Sequence, residues 1–83
     1  MTRVDISLTA REQLNDLSTA AQQRIKTKLL NEVSDDPERY LRPLSNSPHQ
    51  SIRVGDYRVI VDYDGDSDRI KIHDVGHRRN IYD

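Results

Sequence analysis

The chain has no cysteine, no tryptophan and no phenylalanine, and only three glycines, three prolines and one methionine among its 83 residues. Without cysteine there is neither a disulfide framework nor a thiolate metal site, which fits a reducing compartment. Four tyrosines are the only aromatics, so the core has to be built from aliphatic side chains. A chain this short buries only roughly 60% of its extended surface, which makes for a thin core and a single domain, residues 1–83. The longest apolar run is Val59, Ile60 and Val61, and the N-terminus shows no h-region. Neither a membrane partner nor a secretory signal is expected, and the expected location is the cytoplasm. An excess of one charge is also missing, since 13 basic and 14 acidic residues give a net charge of −1. Global attraction to nucleic acid is therefore excluded, though a local patch can still bind phosphate.

What is present is periodicity. Residues 3–8 alternate, with Val4, Ile6 and Leu8 on one side, as a half-buried strand requires. Thr9 followed by Glu12 is a capping box, which predicts a helix from Ala10 carrying Leu14 and Leu17 inward. Ser18 can cap a second helix with the stripe Ala21, Ile25, Leu29 and Val33. Asp36-Pro37 ends that helix or begins a further turn. Residues 41–48 read as a loop. Three strands follow, over 50–54, 57–63 and 69–75, separated by Gly55-Asp56 and an Asp-rich turn around Gly65. The expected class is α+β, in the order β-α-α-β-β-β.

A two-residue turn at Gly55-Asp56 sets Val54 opposite Tyr57, Arg53 opposite Arg58 and Ile52 opposite Val59. Pairing Val59 with Ile72 and Val61 with Ile70 then collects the apolar residues on one face, toward the helices. The other face collects Ser51, Arg53, Arg58, Ile60, Lys71 and His73, with Arg3 near and Arg78 and Arg79 just beyond. Like charges directly opposite destabilise a sheet, so Arg53 and Arg58 imply either flanking acids or an anionic partner. Asp5 and Asp62 would serve as counterions if the face is merely solvated.

Several chemistries lack their residues. His73 and His77 are separated by about 13 Å of strand, too far for one metal. The run Asp62, Asp64, Asp66 and Asp68 lacks the glycine and closing glutamate of a calcium loop and reads as a polar turn. No serine sits in a nucleophile elbow and no glycine-rich loop could cradle a triphosphate. No cofactor is expected. Arg, His and Tyr remain, and they suffice for RNA cleavage: a base for the ribose 2′-OH, cations for the phosphorane and a donor for the leaving oxygen.

The segment SIRVGDYRVIVDYD (51–64) followed by IKIHDVGHRRNIYD (70–83) resembles the C-terminal half of the RelE branch of the RelE/ParE toxin superfamily. There an Arg-hydrophobic-x-x-x-Tyr-Arg strand pair precedes a final strand ending in Val-Gly-(basic)-Arg and then Tyr. The stretches Asp36-Pro37-Glu38-Arg39-Tyr40 and Arg42-Pro43-Leu44 are similar to the family's helix exit and loop. The resemblance implies a small antiparallel sheet with a helical hairpin on one face. It also implies a toxin that enters the ribosomal A site and cuts mRNA without metal by 2′-OH attack, and a cognate RelB-like antitoxin. Arg58 falls on the family's phosphate-stabilising arginine, Arg78 on its second catalytic arginine and Tyr82 on the tyrosine that stacks on or orients the nucleotide. His49 and Ser51 stand where the best-studied branch has a lysine pair, and His77 stands where it has lysine. A histidine suits a base at neutral pH, so His49 and His77 are the candidate base and acid, in either order. Arg53, Lys71, His73 and Arg79 are the candidate RNA-binding residues. Asp83 directly follows Tyr82, so no C-terminal helix is expected for an antitoxin to displace. A ParE-like toxin that inhibits a topoisomerase by binding, or an inactive relic, is the alternative.

Overall fold

Ser7 ends the first strand and starts the first helix. In the computed structural model, which describes residues 2–44 and 47–77, β1 spans Arg3–Ile6 and α1 spans Leu8–Asn15. The Ser7 backbone is extended, its N–H donates to Ile72 O at 2.9 Å and its hydroxyl to His73 O at 3.1 Å. The same Oγ accepts from Ala10 N at 3.1 Å. Ser7 is thus held to the sheet and caps the helix, and the expected cap Thr9 lies inside the first turn, which corrects the start from Ala10 to Leu8. Glu12 closes no capping box because its helix begins two residues earlier than the pattern suggested.

Ser18 caps α2, Thr19–Thr27, accepting from Ala21 N at 3.2 Å as expected. A π-helical stretch, Lys28–Val33, continues it. On a 3.6-residue helix a strict four-residue stripe drifts by about 40° per step. The wider π turn rotates the stripe back, and Ala21, Ile25, Leu29 and Val33 all stay buried. Pro37 opens α3, Pro37–Tyr40, in the position where its missing N–H costs nothing. Within the stretch expected to be loop, Arg42–Pro43 pairs with the next strand as β2.

The sheet order is β1-β5-β4-β3-β2, with β3 Gln50–Val54, β4 Tyr57–Asp64 and β5 Arg69–His77. Every pairing is antiparallel except that of β1 with β5. The first hairpin has the expected register, Arg53 opposite Arg58, turned by Gly55 at φ +58. A positive φ at the first of two loop residues is the II′ geometry that glycine favours. The second hairpin corrects the expected register, because the strands run to Asp64 and Arg69 around a shorter turn. Val61 pairs with Ile72, Val59 with Val75 and Tyr63 with Ile70. A shift by two preserves the face of every side chain, so the apolar residues still meet the helices. The pairing then steps between Ile60 and Val61, which leaves His73 as the additional residue of a β-bulge on β5.

The core lies between this face and the helices. Ile25, Val33, Ile52, Val59, Val61 and Ile70 are wholly buried there, each contributing about 1.5–3 kcal/mol of transfer free energy. Among the described residues, no helix is long and apolar enough to cross a membrane.

Candidate nucleic-acid interface

The face turned away from the core is divided by charge. In the ladder Arg53 stands opposite Arg58, and Arg58 opposite Gly76. Four residues along β4, Asp62 stands opposite Lys71, which has Asp5 on its other side. Lys71 therefore has an acid on each flank. Arg3 is likewise matched, since Asp5 bridges Arg3 and Arg69 at 3.3 Å each. The flanking acids expected for a solvated face exist at this end, whereas neither cross-strand neighbour of Arg58 is acidic.

Around the arginine pair the chain folds a cleft of about 750 Å³, lined by Lys28, Arg39, Tyr40, Arg42, Ser51, Arg53 and Arg58 among others. Five of those seven are cations, and among the described residues the lining contains no carboxylate. Tyr40 is half-buried, with Lys28 Nζ 4.4 Å and Arg39 Cζ 5.8 Å from its ring centre, distances at which a cation is held by the ring face. Sequence reasoning missed Lys28, Arg39 and Arg42 because they come from three elements that only the fold joins. Arg42 reaches the face through the short β2 pairing with Ser51, and the adjoining Pro43 had marked that stretch as loop.

The other end of β4 carries a second constellation. Asp62 Oδ1 lies 2.6 Å from His49 Nδ1, and Asp62 Oδ2 lies 2.6 Å from His73 Nε2. The two imidazoles are 4.7 Å apart, centre to centre. Burial pushes the Asp62 carboxyl up, but the bonds from His49 and His73, with their charge, outweigh it and hold the group below the usual carboxylate range. The bulge accounts for the meeting: it places His73 in an unpaired position on β5, where its ring turns to Asp62. The sequence placed His73 on this face but gave Asp62 only the role of a counterion, since a bulge leaves no signature in alternation.

His77 is elsewhere. Its partner in the ladder is Tyr57, whose ring lies 5.8 Å from its own in an edge-on arrangement. Direct partners share a face, and Tyr57 packs against the core cluster. His49, bonded to Asp62, and His77, expected as base and acid, are therefore on opposite faces of the sheet. Arg78, Arg79 and Tyr82 lie outside the described residues.

Comparison with known proteins agrees with the fold. The family described as the ParE toxin of type II toxin-antitoxin systems, parDE, matches residues 4–82. No curated protein matches the sequence. Among solved structures, a chain of the toxin–antitoxin complex RelBE2 from Mycobacterium tuberculosis is 26% identical with a TM-score of 0.86, over 93% of this chain and 98% of that one. The Escherichia coli RelBE complex gives 21% identity and a TM-score of 0.76, over 93% and 96%. The archaeal RelE–RelB complex from Pyrococcus horikoshii gives 23% and 0.74, over 96% and 98%. The fold and the full-length family match define a toxin of a type II toxin–antitoxin system. The chain belongs to the RelE/ParE toxin superfamily and has the RelE fold.

Proposed function

We propose that this toxin is a ribosome-dependent endoribonuclease that cuts mRNA in the A site. The observation that carries the reading is the cleft in which Arg39, Arg42, Arg53 and Arg58 converge beside Tyr40, because a chain of net charge −1 can attract RNA only through such a cluster. Tyr40 anchors Lys28 and Arg39 at the cleft, and the arginines supply donors for phosphate.

In the proposed reaction the ribose 2′-oxygen attacks the adjacent phosphorus as its proton passes to His49. The bond to the 5′-oxygen breaks, that oxygen takes a proton from a solvent water whose hydroxide is neutralised by the proton His49 gives up, and a 2′,3′-cyclic phosphate and a 5′-hydroxyl remain. Asp62 positions the base: it engages His49 Nδ1, which leaves Nε2 as the nitrogen to receive the proton. Arg58 and Arg78 stabilise the phosphorane, and Tyr82 stacks on or orients the nucleotide. Arg53 and Arg79 hold the RNA backbone, with Lys71 and His73 at the acid-flanked end. His77 is left out of the proton transfer because it shares the face of Tyr57. A RelB-like antitoxin is the proposed partner, together with the ribosome and mRNA. An apolar groove of about 180 Å³ lined by Val4, Ile6, Leu14, Leu29, Leu30 and neighbours, beside edge strand β1, offers an antitoxin apolar contacts away from the cleft.

The family match bears the ParE name, which favours as a second reading a toxin that inhibits a topoisomerase by binding. Primer extension on mRNA in a translation extract, with and without the purified chain, separates the two. New 5′ ends that appear only with engaged ribosomes support cleavage. Intact mRNA with DNA damage in expressing cells would transfer the assignment to the second reading.

A further inference from the structure

We propose that His49, Asp62 and His73 form a binding site for a divalent transition metal ion, with Zn²⁺ the best fit. The three come from neighbouring segments: the residue before β3, the C-terminal half of β4 and the bulge of β5. One ligand atom from each lies within 4.8 Å of the other two. Two imidazole nitrogens and one carboxylate oxygen are the donors of three-ligand zinc sites, with a water in the remaining position. Bonds of about 2.0–2.1 Å to zinc set tetrahedral ligand atoms about 3.3 Å apart, so small rotations of the two rings suffice.

Both His–Asp contacts are hydrogen bonds of 2.6 Å, and the ring nitrogens that face the carboxylate are the ones an ion between them would take. The side chains are 37%, 46% and 27% exposed for His49, Asp62 and His73, which gives an ion access from solvent while the strands fix Asp62 and His73 and the start of β3 holds His49 beside them. Lys71, the cross-strand neighbour of Asp62, is exposed and can turn its ammonium into water. Imidazole donors select against Mg²⁺ and Ca²⁺, which take oxygen ligands. This inference does not rest on the cleavage reading, because metal binding is a property of the folded chain. Were both to hold, zinc on His49 Nδ1 would displace the hydrogen bond to Asp62 and leave the ring proton on Nε2, which could then accept none from the substrate, and the ion would act as an inhibitor.

The test is calorimetric titration of the untagged full chain with Zn²⁺, repeated with Co²⁺ while its visible absorption is followed. One equivalent should bind, and the Co²⁺ band should report nitrogen and oxygen ligands in a low-coordinate site. Loss of one ligand in His73→Gln or Asp62→Asn should weaken binding at least about 10- to 100-fold, the range that even an outer-shell partner is worth. His77→Gln, on the other face, should bind like the wild type. Circular dichroism of each variant confirms that it is folded. Absence of binding to the wild type at ~100 μM Zn²⁺, far weaker than a built zinc site, would overturn the proposal. So would binding that the folded His73→Gln and Asp62→Asn variants retain unchanged.

Discussion

Arg53 and Arg58 face each other across the β3–β4 ladder, on the side of the sheet away from the core. A pair of like charges in that position costs the fold about 0.2–1 kcal/mol, and the cleft it opens onto adds Arg39, Arg42 and Lys28 to the same field. Stability and binding should therefore respond in opposite directions. Replacing Arg53 by Thr, a good strand residue, is expected to keep or raise the unfolding free energy in urea by up to about 1 kcal/mol. The same variant should bind ribosomes more weakly, with a salt slope shallower by roughly 0.7–0.9. Equal affinity and slope would mean that the face is merely solvated.

The helix start offers a sharp local test. Ser7→Ala removes the acceptor for Ala10 N and the donor to His73 O, and should cost about 1 kcal/mol or somewhat more. Ser18→Ala, which removes only a cap, should cost about 1 kcal/mol. Thr9→Ala should stay within roughly 0.5 kcal/mol, as expected for an exposed site that caps nothing. Chemical denaturation of the three variants ranks them, and a large loss at Thr9 would restore the capping box.

Gly55 carries the turn that sets the arginine register. At φ +58 any other residue is strained, and a Cβ there would come 3.0 Å from Arg24 Nη1. The Arg24 side chain can move, so the backbone dominates, and Gly55→Ala should destabilise by about 1 kcal/mol. Gly55→Asn should be milder, since asparagine tolerates the left-handed region. Thermal melts of the two variants check that order.

These elements show what could be read from the chain. The first hairpin was legible because Gly55-Asp56 specifies both a turn and a register. The second was legible as a turn but not in register, since the four aspartates Asp62, Asp64, Asp66 and Asp68 do not fix the turn's length, and the strands slid by two residues without moving a side chain to the wrong face. Arg53 and Arg58 were found through the first hairpin. Arg39 and Arg42 were hidden because short-range patterns do not say which loop folds back against which strand. The bulge at His73 had no signal in the sequence, and with it went the meeting of His73 with His49 and Asp62.

The central claim is that Arg58 and Arg78 act on the chemical step of mRNA cleavage. Single-turnover cleavage of mRNA on ribosomes with an empty A site, with binding measured in parallel, addresses it most directly. Arg58→Ala and Arg78→Ala should each slow cleavage by roughly 10²-fold or more while ribosome affinity stays nearly intact, because the contacts strengthen in the transition state. Cleavage at the wild-type rate by the double variant, or a defect confined to binding, would contradict the account.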